Sequence, residues 1–353
     1  MAALATLGSL AALSGVANGC SSHGDKTPVA PGGFERTTLR YEGSTNNVTY
    51  PELAEDLGYL APLKLEYIGN NATGGPHSIQ SVVTGDVDFG SSFNGAIIKL
   101  VAAKAPLRAV LASYGTDDQT FAGFYALEST GLREPRSLVG KKVAMNTLGA
   151  HAEFVLKEYL VRGGLRPDEI KQVTMLVLPP INGEQALRNH QVELTQLSTM
   201  LRDKASARGG LRMLFSDYEL YGSFNAGSYV MSNKFLAENP KTARKFVHAT
   251  GAAIEWARTQ PRDVVIARFA QIIQKRKRNE DLSSVQHWHS TGISTERGKI
   301  TDRDSPLWID WLVKDGQLKP GQLKPGDIYT NALSEGASEL ASATPHTDGR
   351  VEP

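Results

Sequence analysis

From Thr38 to Leu197 the chain repeats one pattern, a short segment of strand character followed by a segment of helical spacing. Leu63-Lys64-Leu65-Glu66-Tyr67-Ile68 alternates with Leu63, Leu65 and Tyr67 on one face, and Leu107 to Ser113 is almost wholly apolar. Apolar strands that alternate with helices pack as parallel sheets covered on both faces, so the fold class is expected to be α/β. In the first set, Thr38 to Tyr41, Leu63 to Ile68, Val87 to Phe89 and Leu107 to Ser113 read as strands. Tyr50 to Gly58, Ile79 to Thr84 and Asn94 to Ala103 read as helices. A second set runs from Phe121 to Leu197, with strands at Phe121 to Leu127, Lys142 to Met145, Thr174 to Leu178 and Val192 to Leu197. After a further strand at Gly227 to Met231, Asn239-Pro240 opens a long amphipathic helix as cap and first residue.

At 353 residues, with 41% hydrophobic and 21% charged residues, such a chain can bury two cores. Its formal net charge of +1 leaves no broad field for a nucleic acid or an anionic membrane. Lys275-Arg276-Lys277-Arg278 is basic, but Glu280-Asp281 beside it makes it read as a solvated surface.

Residues 1–20 carry no charged side chain and are rich in Ala, Leu, Val, Gly and Ser, the composition of an export signal. They are too Gly-rich and too short to span a membrane convincingly. The missing basic start is what a signal beginning upstream of Met1 would show. Cys20 is the one cysteine of the chain, which excludes a disulfide framework and a multi-thiolate metal site. Its setting, Val16-Ala17-Asn18-Gly19-Cys20, resembles a bacterial lipobox, with Ala17 where that pattern prefers Leu. Lipidation at Cys20 is the expectation, and a signal that merely lies beside a cysteine is the alternative. Residues 21–35 offer almost nothing to bury and read as a tether, and residues 338–353 as a polar tail.

The signatures of several chemistries are missing. The sequence has no phosphate-binding Gly-x-x-x-x-Gly-Lys loop, no Gly-x-Ser-x-Gly elbow and no His-Glu-x-x-His helix. Gly69 to Gly75 is glycine-rich without a phosphate-binding lysine. His287-Trp288-His289 offers two imidazoles without a definable third ligand, so they read as surface or core histidines and neither metal nor cofactor is expected.

Four stretches resemble the ABC-importer binding proteins for nitrate, taurine, aliphatic sulfonates and thiamine-pyrimidine precursors. They are Gly85-Asp86-Val87-Asp88-Phe89-Gly90-Ser91-Ser92, Ala105 to Val110, Gly140 to His151, and Tyr229 to Phe235 leading into Asn239-Pro240. The resemblance implies the two-lobed type II periplasmic-binding fold, each lobe a mostly parallel sheet flanked by helices, with a ligand cleft between them. It places lobe 1 at residues 36–116 plus 226–337 and lobe 2 at 117–225, with crossings near Tyr114 to Thr120 and Tyr221 to Ala226. The implied function is capture of a small molecule by lobe closure and delivery to an ABC permease, outside the cytoplasm, by a lipid-anchored or periplasmic monomer that is not an enzyme. Eukaryotic pyrimidine-synthesis enzymes share that fold, and this chain lacks their cysteine cluster.

Three polar turns are the expected site, because helix N-termini at the ends of strands present unpaired N–H groups to anions. These are Ser44, Thr45, Asn46 and Asn47; Ser91, Ser92, Phe93 and Asn94; and Thr147, Gly149, Ala150 and His151, with Asn71, Tyr114 and Phe224 beside them. Helix capping explains any one such turn equally well. No arginine falls in them, so dipoles and hydroxyls would hold an organic sulfonate or aromatic carboxylate, with nitrate or a pyrimidine precursor as alternatives. Two rivals are an exported enzyme that uses His151 as a base and a surface adhesion or scaffold protein.

Overall fold

The computed structural model describes residues 33–71 and 74–335. The expected signal, Cys20 with its expected lipidation, most of the expected tether and the expected polar tail lie outside the described residues.

The chain begins with β1 (Thr38–Gly43), α1 (Tyr50–Asp56), β2 (Lys64–Asn70), α2 (Gly75–Thr84), β3 (Gly90–Phe93), α3 (Asn94–Ala102) and β4 (Leu107–Thr116). It crosses to β5 (Ala122–Leu127), β6 (Lys142–Met145), α4 (His151–Arg162), α5 (Pro167–Ile170), β7 (Thr174–Val177), α6 (Pro180–Arg188), β8 (Leu194–Ser198), α7 (Thr199–Ala207), β9 (Leu211–Ser216) and α8 (Asp217–Tyr221). It returns through β10 (Phe224–Ser232) to α9 (Asn233–Glu238), α10 (Pro240–Thr259), α11 (Arg262–Arg276), α12 (Pro306–Lys314) and α13 (Pro325–Ile328).

Local chemistry sets these boundaries. Pro51 opens α1, and Glu52 Oε2 accepts from the Thr49 N–H and hydroxyl at 2.9 Å, closing the first turn. Gly85, with φ +83°, ends α2 in the left-handed conformation that favours glycine. The third strand lies later than the alternation suggests, at Gly90–Phe93, where it pairs antiparallel with β10. Val87 to Phe89 leads into it, held by an Asp88 N–H to Arg40 carbonyl bond of 3.0 Å.

One strand order serves both lobes. In lobe 2 the sheet runs β7-β6-β8-β5-β9, with β5 antiparallel to its neighbours. In lobe 1, β1 and β2 pair in parallel and β3-β10-β4 pair antiparallel, joined through the Asp88–Arg40 bond. Each antiparallel strand is the one that arrives from the other lobe, so β4 to β5 and α8 to β10 are the two crossings. Lobe 1 is therefore less uniformly parallel than the apolar strands suggest.

Core packing follows the layers. Phe89, Phe246, Ile254 and Phe269 fill one face of lobe 1, and Ile97, Phe93, Trp308 and Leu312 the other. Phe124, Leu156 and Phe215 occupy one face of the lobe 2 sheet, and Leu187 and Leu197 the other. Phe154 of α4 joins the Trp308 cluster and stacks on Trp311 at 4.0 Å, so an apolar seam of buried rings ties the lobes together behind the crossings.

Candidate functional site

A cleft of about 460 Å³ opens between the lobes, within the size range of small-molecule sites. Its lobe 1 wall is built from the loop after β1, the start of α2, strand β3 and the end of β4. Lobe 2 contributes the loop after β6, the start of α4 and Thr199 at the start of α7.

Two helix N-termini face the cleft. At α2, Gly74 and Gly75 line the wall, and no side chain caps the helix. A Cβ on Gly75 would stand 2.5 Å from Ser92 Oγ, so glycine lets the helix end meet β3 at backbone distance. Ser92 is only 2% exposed, lines the cleft, and its hydroxyl has no hydrogen-bond partner among the described residues. A buried polar atom left without a partner costs about 1–3 kcal/mol, which a bound acceptor would offset. Its neighbour is satisfied: Ser91 Oγ donates to Ser113 Oγ at 2.6 Å, and the Ser91 N–H donates to Ser78 Oγ at 3.0 Å.

At α4, Ala150 and His151 form the opposite wall. His151 stacks on Phe93, with ring centres 5.1 Å apart, and turns Nε2 toward Asp217 Oδ2 at 3.3 Å, within ion-pair reach but poorly aligned for a hydrogen bond. Burial pushes the imidazole below its ordinary range, against the pull of Asp217. Burial likewise pushes the Asp217 carboxyl up, although it accepts from Thr116 Oγ1 at 2.8 Å, the Ala122 N–H at 3.0 Å and the Tyr218 N–H at 2.8 Å.

The sequence-derived residues divide cleanly. Ser44, Asn47, Asn71, Ser91, Ser92, Phe93, Tyr114, Thr147, Ala150 and His151 line the cleft. Thr45, Asn46, Asn94, Gly149 and Phe224 do not. Thr45 is exposed; Asn46, in the left-handed region at φ +58°, turns its backbone and side chain onto Glu280 and Asp281. Asn94 is buried, donating to the Asn225 carbonyl at 3.0 Å and accepting from Ser228 Oγ at 2.8 Å. Gly149 is tied to Glu153 through its N–H at 2.7 Å, and Phe224 packs edge-on behind His151.

Several wall residues carry no local signature of a site. Trp288, His289 and Ser290 come from the return segment, and Glu42, Tyr50 and Thr199 from three further elements. His287 and His289 are not simple surface or core histidines. Both turn to Asp203 Oδ2 of α7, at 3.2 and 2.7 Å, and so bridge the lobes at the rim. The basic run also departs from a solvated surface. Arg276, 7% exposed, pairs with Glu52 and Glu280 and donates to the Asn47 carbonyl, fixing the loop after β1 from below.

Among the described residues, no lysine or arginine lines the cleft, and no group of three His, Cys, Asp or Glu could hold a metal. No described helix is long and apolar enough to cross a membrane.

With this geometry in view, a family described as NMT1/THI5 like matches residues 46–264. The 4-amino-5-hydroxymethyl-2-methylpyrimidine phosphate synthase of Candida albicans (strain WO-1) is 26% identical over 198 residues, 53% of this chain and 57% of the synthase. The chain thus spans little more than half the length of that relative. Among solved structures, the periplasmic aliphatic sulphonate binding protein SsuA of Escherichia coli superposes with a TM-score of 0.64 at 18% identity, over 84% of this chain and 92% of that one. The periplasmic nitrate-binding protein NrtA of Synechocystis PCC 6803 gives 0.66 at 14% identity, over 87% and 89%. The two-lobed periplasmic-binding fold and the family resemblance carried by the four sequence stretches are both borne out.

Proposed function

The chain belongs to the NMT1/THI5-like family, and from that premise we propose that it is the extracytoplasmic solute-binding component of an ABC importer. It captures a small organic anion, a sulfonate or an aromatic carboxylate, by lobe closure and delivers it to a membrane permease. The observation that carries this reading is the Ser92 hydroxyl, without a partner among the described residues, beside the uncapped N-terminus of α2 and facing the N-terminus of α4 across the cleft. N–H groups and positive dipole ends from both lobes then surround one oxyanion. Rings of Tyr50, Tyr114 and Trp288 enclose its body. Closure is the switch that a permease would read, through the crossings at Thr116 to Ala122 and Tyr221 to Phe224.

The reading includes export of the chain and a monomer held at the membrane by a lipid on Cys20, together with further chains, since one acyl chain binds only marginally. A thermal-shift series with sulfonates, aromatic carboxylates, nitrate and pyrimidines tests it. A solute at about 100 times its Kd adds about 2.7 kcal/mol of stability. Flat curves across all four classes would sink the proposal.

A second reading is favoured by the buried His151–Asp217 pair. An imidazole kept neutral at a cleft wall is suited to accept a proton, and the distant relative is named as a synthase. Turnover lost in His151→Gln with solute binding retained would select this enzyme; binding without turnover selects the receptor.

A further inference from the structure

Glu42, half-buried on the cleft wall, stands apart from the buried carboxylates Asp88, Glu52 and Asp217. Asp88 holds two arginines, Arg36 at 2.8 Å and Arg40 at 2.9 Å. Glu52 accepts from Tyr41 at 2.6 Å and Arg276 at 2.8 Å. Asp217 has the three donors already described. Glu42 has no comparable partner. Its Oε2 is buried with no hydrogen bond among the described residues, and Oε1 receives only Ser81 Oγ at 3.5 Å. His77, half exposed, brings Nδ1 to 3.5 Å from Oε2, an ion-pair contact without a hydrogen bond.

The setting lies at the end of β1. There the register on β2 slips, Glu42 pairing with Gly69 and leaving Ile68 of β2 unpaired, while Glu42 keeps the face of Arg40. Glu42 is the only acidic side chain lining the cleft among the described residues. A carboxylate oxygen without a hydrogen bond is unsatisfied, and its nearest cationic group is the half-exposed His77 rather than a lysine or arginine of the wall. A cation or a strong N–H donor in the cleft would complete this carboxylate.

We propose that Glu42 recognises a positively charged nitrogen on the solute. Resting on the receptor reading above, this makes the guest a zwitterion. Its oxyanion lies at the helix N-termini and Ser92, its ammonium or amidinium nitrogen at Glu42, and its apolar body spans the rings between. A charge-assisted N–H to carboxylate bond supplies the specificity that helix dipoles alone do not.

The test uses matched pairs that keep the oxyanion and remove the nitrogen: p-aminomethylbenzoate against p-methylbenzoate, and aminopropanesulfonate against propanesulfonate. Calorimetric titration of the full chain and of Glu42→Gln is expected to show one aminated probe bound at least about tenfold more tightly than its partner by the native chain, with the preference erased in Glu42→Gln. Without solute, Glu42→Gln is expected to melt no lower than the native chain, because the change removes only a loose contact with the half-exposed His77. Equal affinity within both pairs, or a preference that survives Glu42→Gln, overturns the inference and leaves the receptor reading intact. Silence of all four probes overturns the inference, and the thermal-shift series across the four solute classes then decides the receptor reading separately. A fall in the ligand-free melting temperature of Glu42→Gln would show that the carboxylate serves the fold, and would also overturn the assignment.

Discussion

His151 and Asp217 meet at 3.3 Å, Nε2 to Oδ2, and the same carboxylate holds both ends of the first crossing, Thr116 in lobe 1 and Ala122 in lobe 2. A residue on the cleft wall and the segment that must bend when the lobes move therefore share one buried anion. Both groups are displaced by burial, in opposite directions with pH.

The pH dependence of stability follows from those directions. His151 lies below its ordinary range in the fold, so the unfolded chain takes up the proton first. Its contribution is present above the ordinary histidine value of about 6.5 and is lost as pH falls through the lowered one. Asp217, raised by burial, has the opposite sign: its contribution is full below the ordinary carboxylate value of about 3.9 and is lost as pH rises through the raised one. Scanning calorimetry from pH 7 to pH 5 is expected to show a shallower acid loss in His151→Gln and a steeper one in Asp217→Asn. Curves parallel to the native one would remove the pair from the account.

At the rim, Asp203 holds the lobes together through His287 and His289. Burial pushes its carboxyl up, but hydrogen bonds from His289, His287 and Arg202 outweigh this and bring it below the ordinary range. Its contribution is thus present above the ordinary carboxylate value and lost only as pH falls through the lowered one. Asp203→Ala is expected to cost about 1–3 kcal/mol and to shift the ligand-free molecule toward a more open form. Small-angle scattering at neutral pH reads this as an increased radius of gyration; an unchanged radius would show that the contact does not restrain closure.

The crossing also depends on two glycines from distant parts of the chain. A Cβ on Gly292, at φ +63°, would lie 2.3 Å from the Gly115 carbonyl oxygen, and one on Gly115 would lie 2.2 Å from that of Gly292. Neither backbone can yield, because Gly115 belongs to β4 beside β10 and the return segment is pinned by Asn225 and Asp117. Gly292→Ala combines this clash with a strained left-handed residue and is expected to cost at least about 2 kcal/mol in chemical denaturation. An effect under about 0.5 kcal/mol would show that the hinge backbone relaxes freely.

How much of this was legible in the sequence depends on the range of the interactions. Strand and helix types followed from periodicity, and Gly90 to Phe93, read as the turn after a strand, is itself a strand that lines the cleft. Capping geometry is local, so Ala150 and His151 could be placed at a helix start. Asn94 and Asn46 could not be sorted, because their partners Asn225, Ser228, Glu280 and Asp281 lie far along the chain. Trp288 and His289 reach the wall only because Asp203 and Asp117 anchor their segment across the crossing. Glu42 reaches the wall at the end of β1, whose neighbours in the cleft come from distant parts of the chain, and nothing in its immediate sequence signals that.

Ser92 gives the sharpest separation between a residue that serves the fold and one that serves a guest. Its hydroxyl is buried without a partner, so Ser92→Ala should leave the ligand-free protein equally stable or more stable, the polar atom having cost desolvation without a bond. The same change should weaken any solute whose oxyanion accepts from that hydroxyl by about 1.5–3 kcal/mol, the range for a hydrogen bond to a charged group. Gly75→Ala approaches the same point from the other side, since its Cβ would stand 2.5 Å from Ser92 Oγ and 3.0 Å from Ser92 Cα. It should block the end of α2 and abolish stabilisation by solutes. Combining the two substitutions removes the nearer clash but not the one with the Ser92 backbone, so only partial rescue is expected. Melting curves of the three variants with and without solute decide the matter: destabilisation of ligand-free Ser92→Ala by more than about 1 kcal/mol would mean that the hydroxyl is bonded within the protein and is unavailable to a ligand.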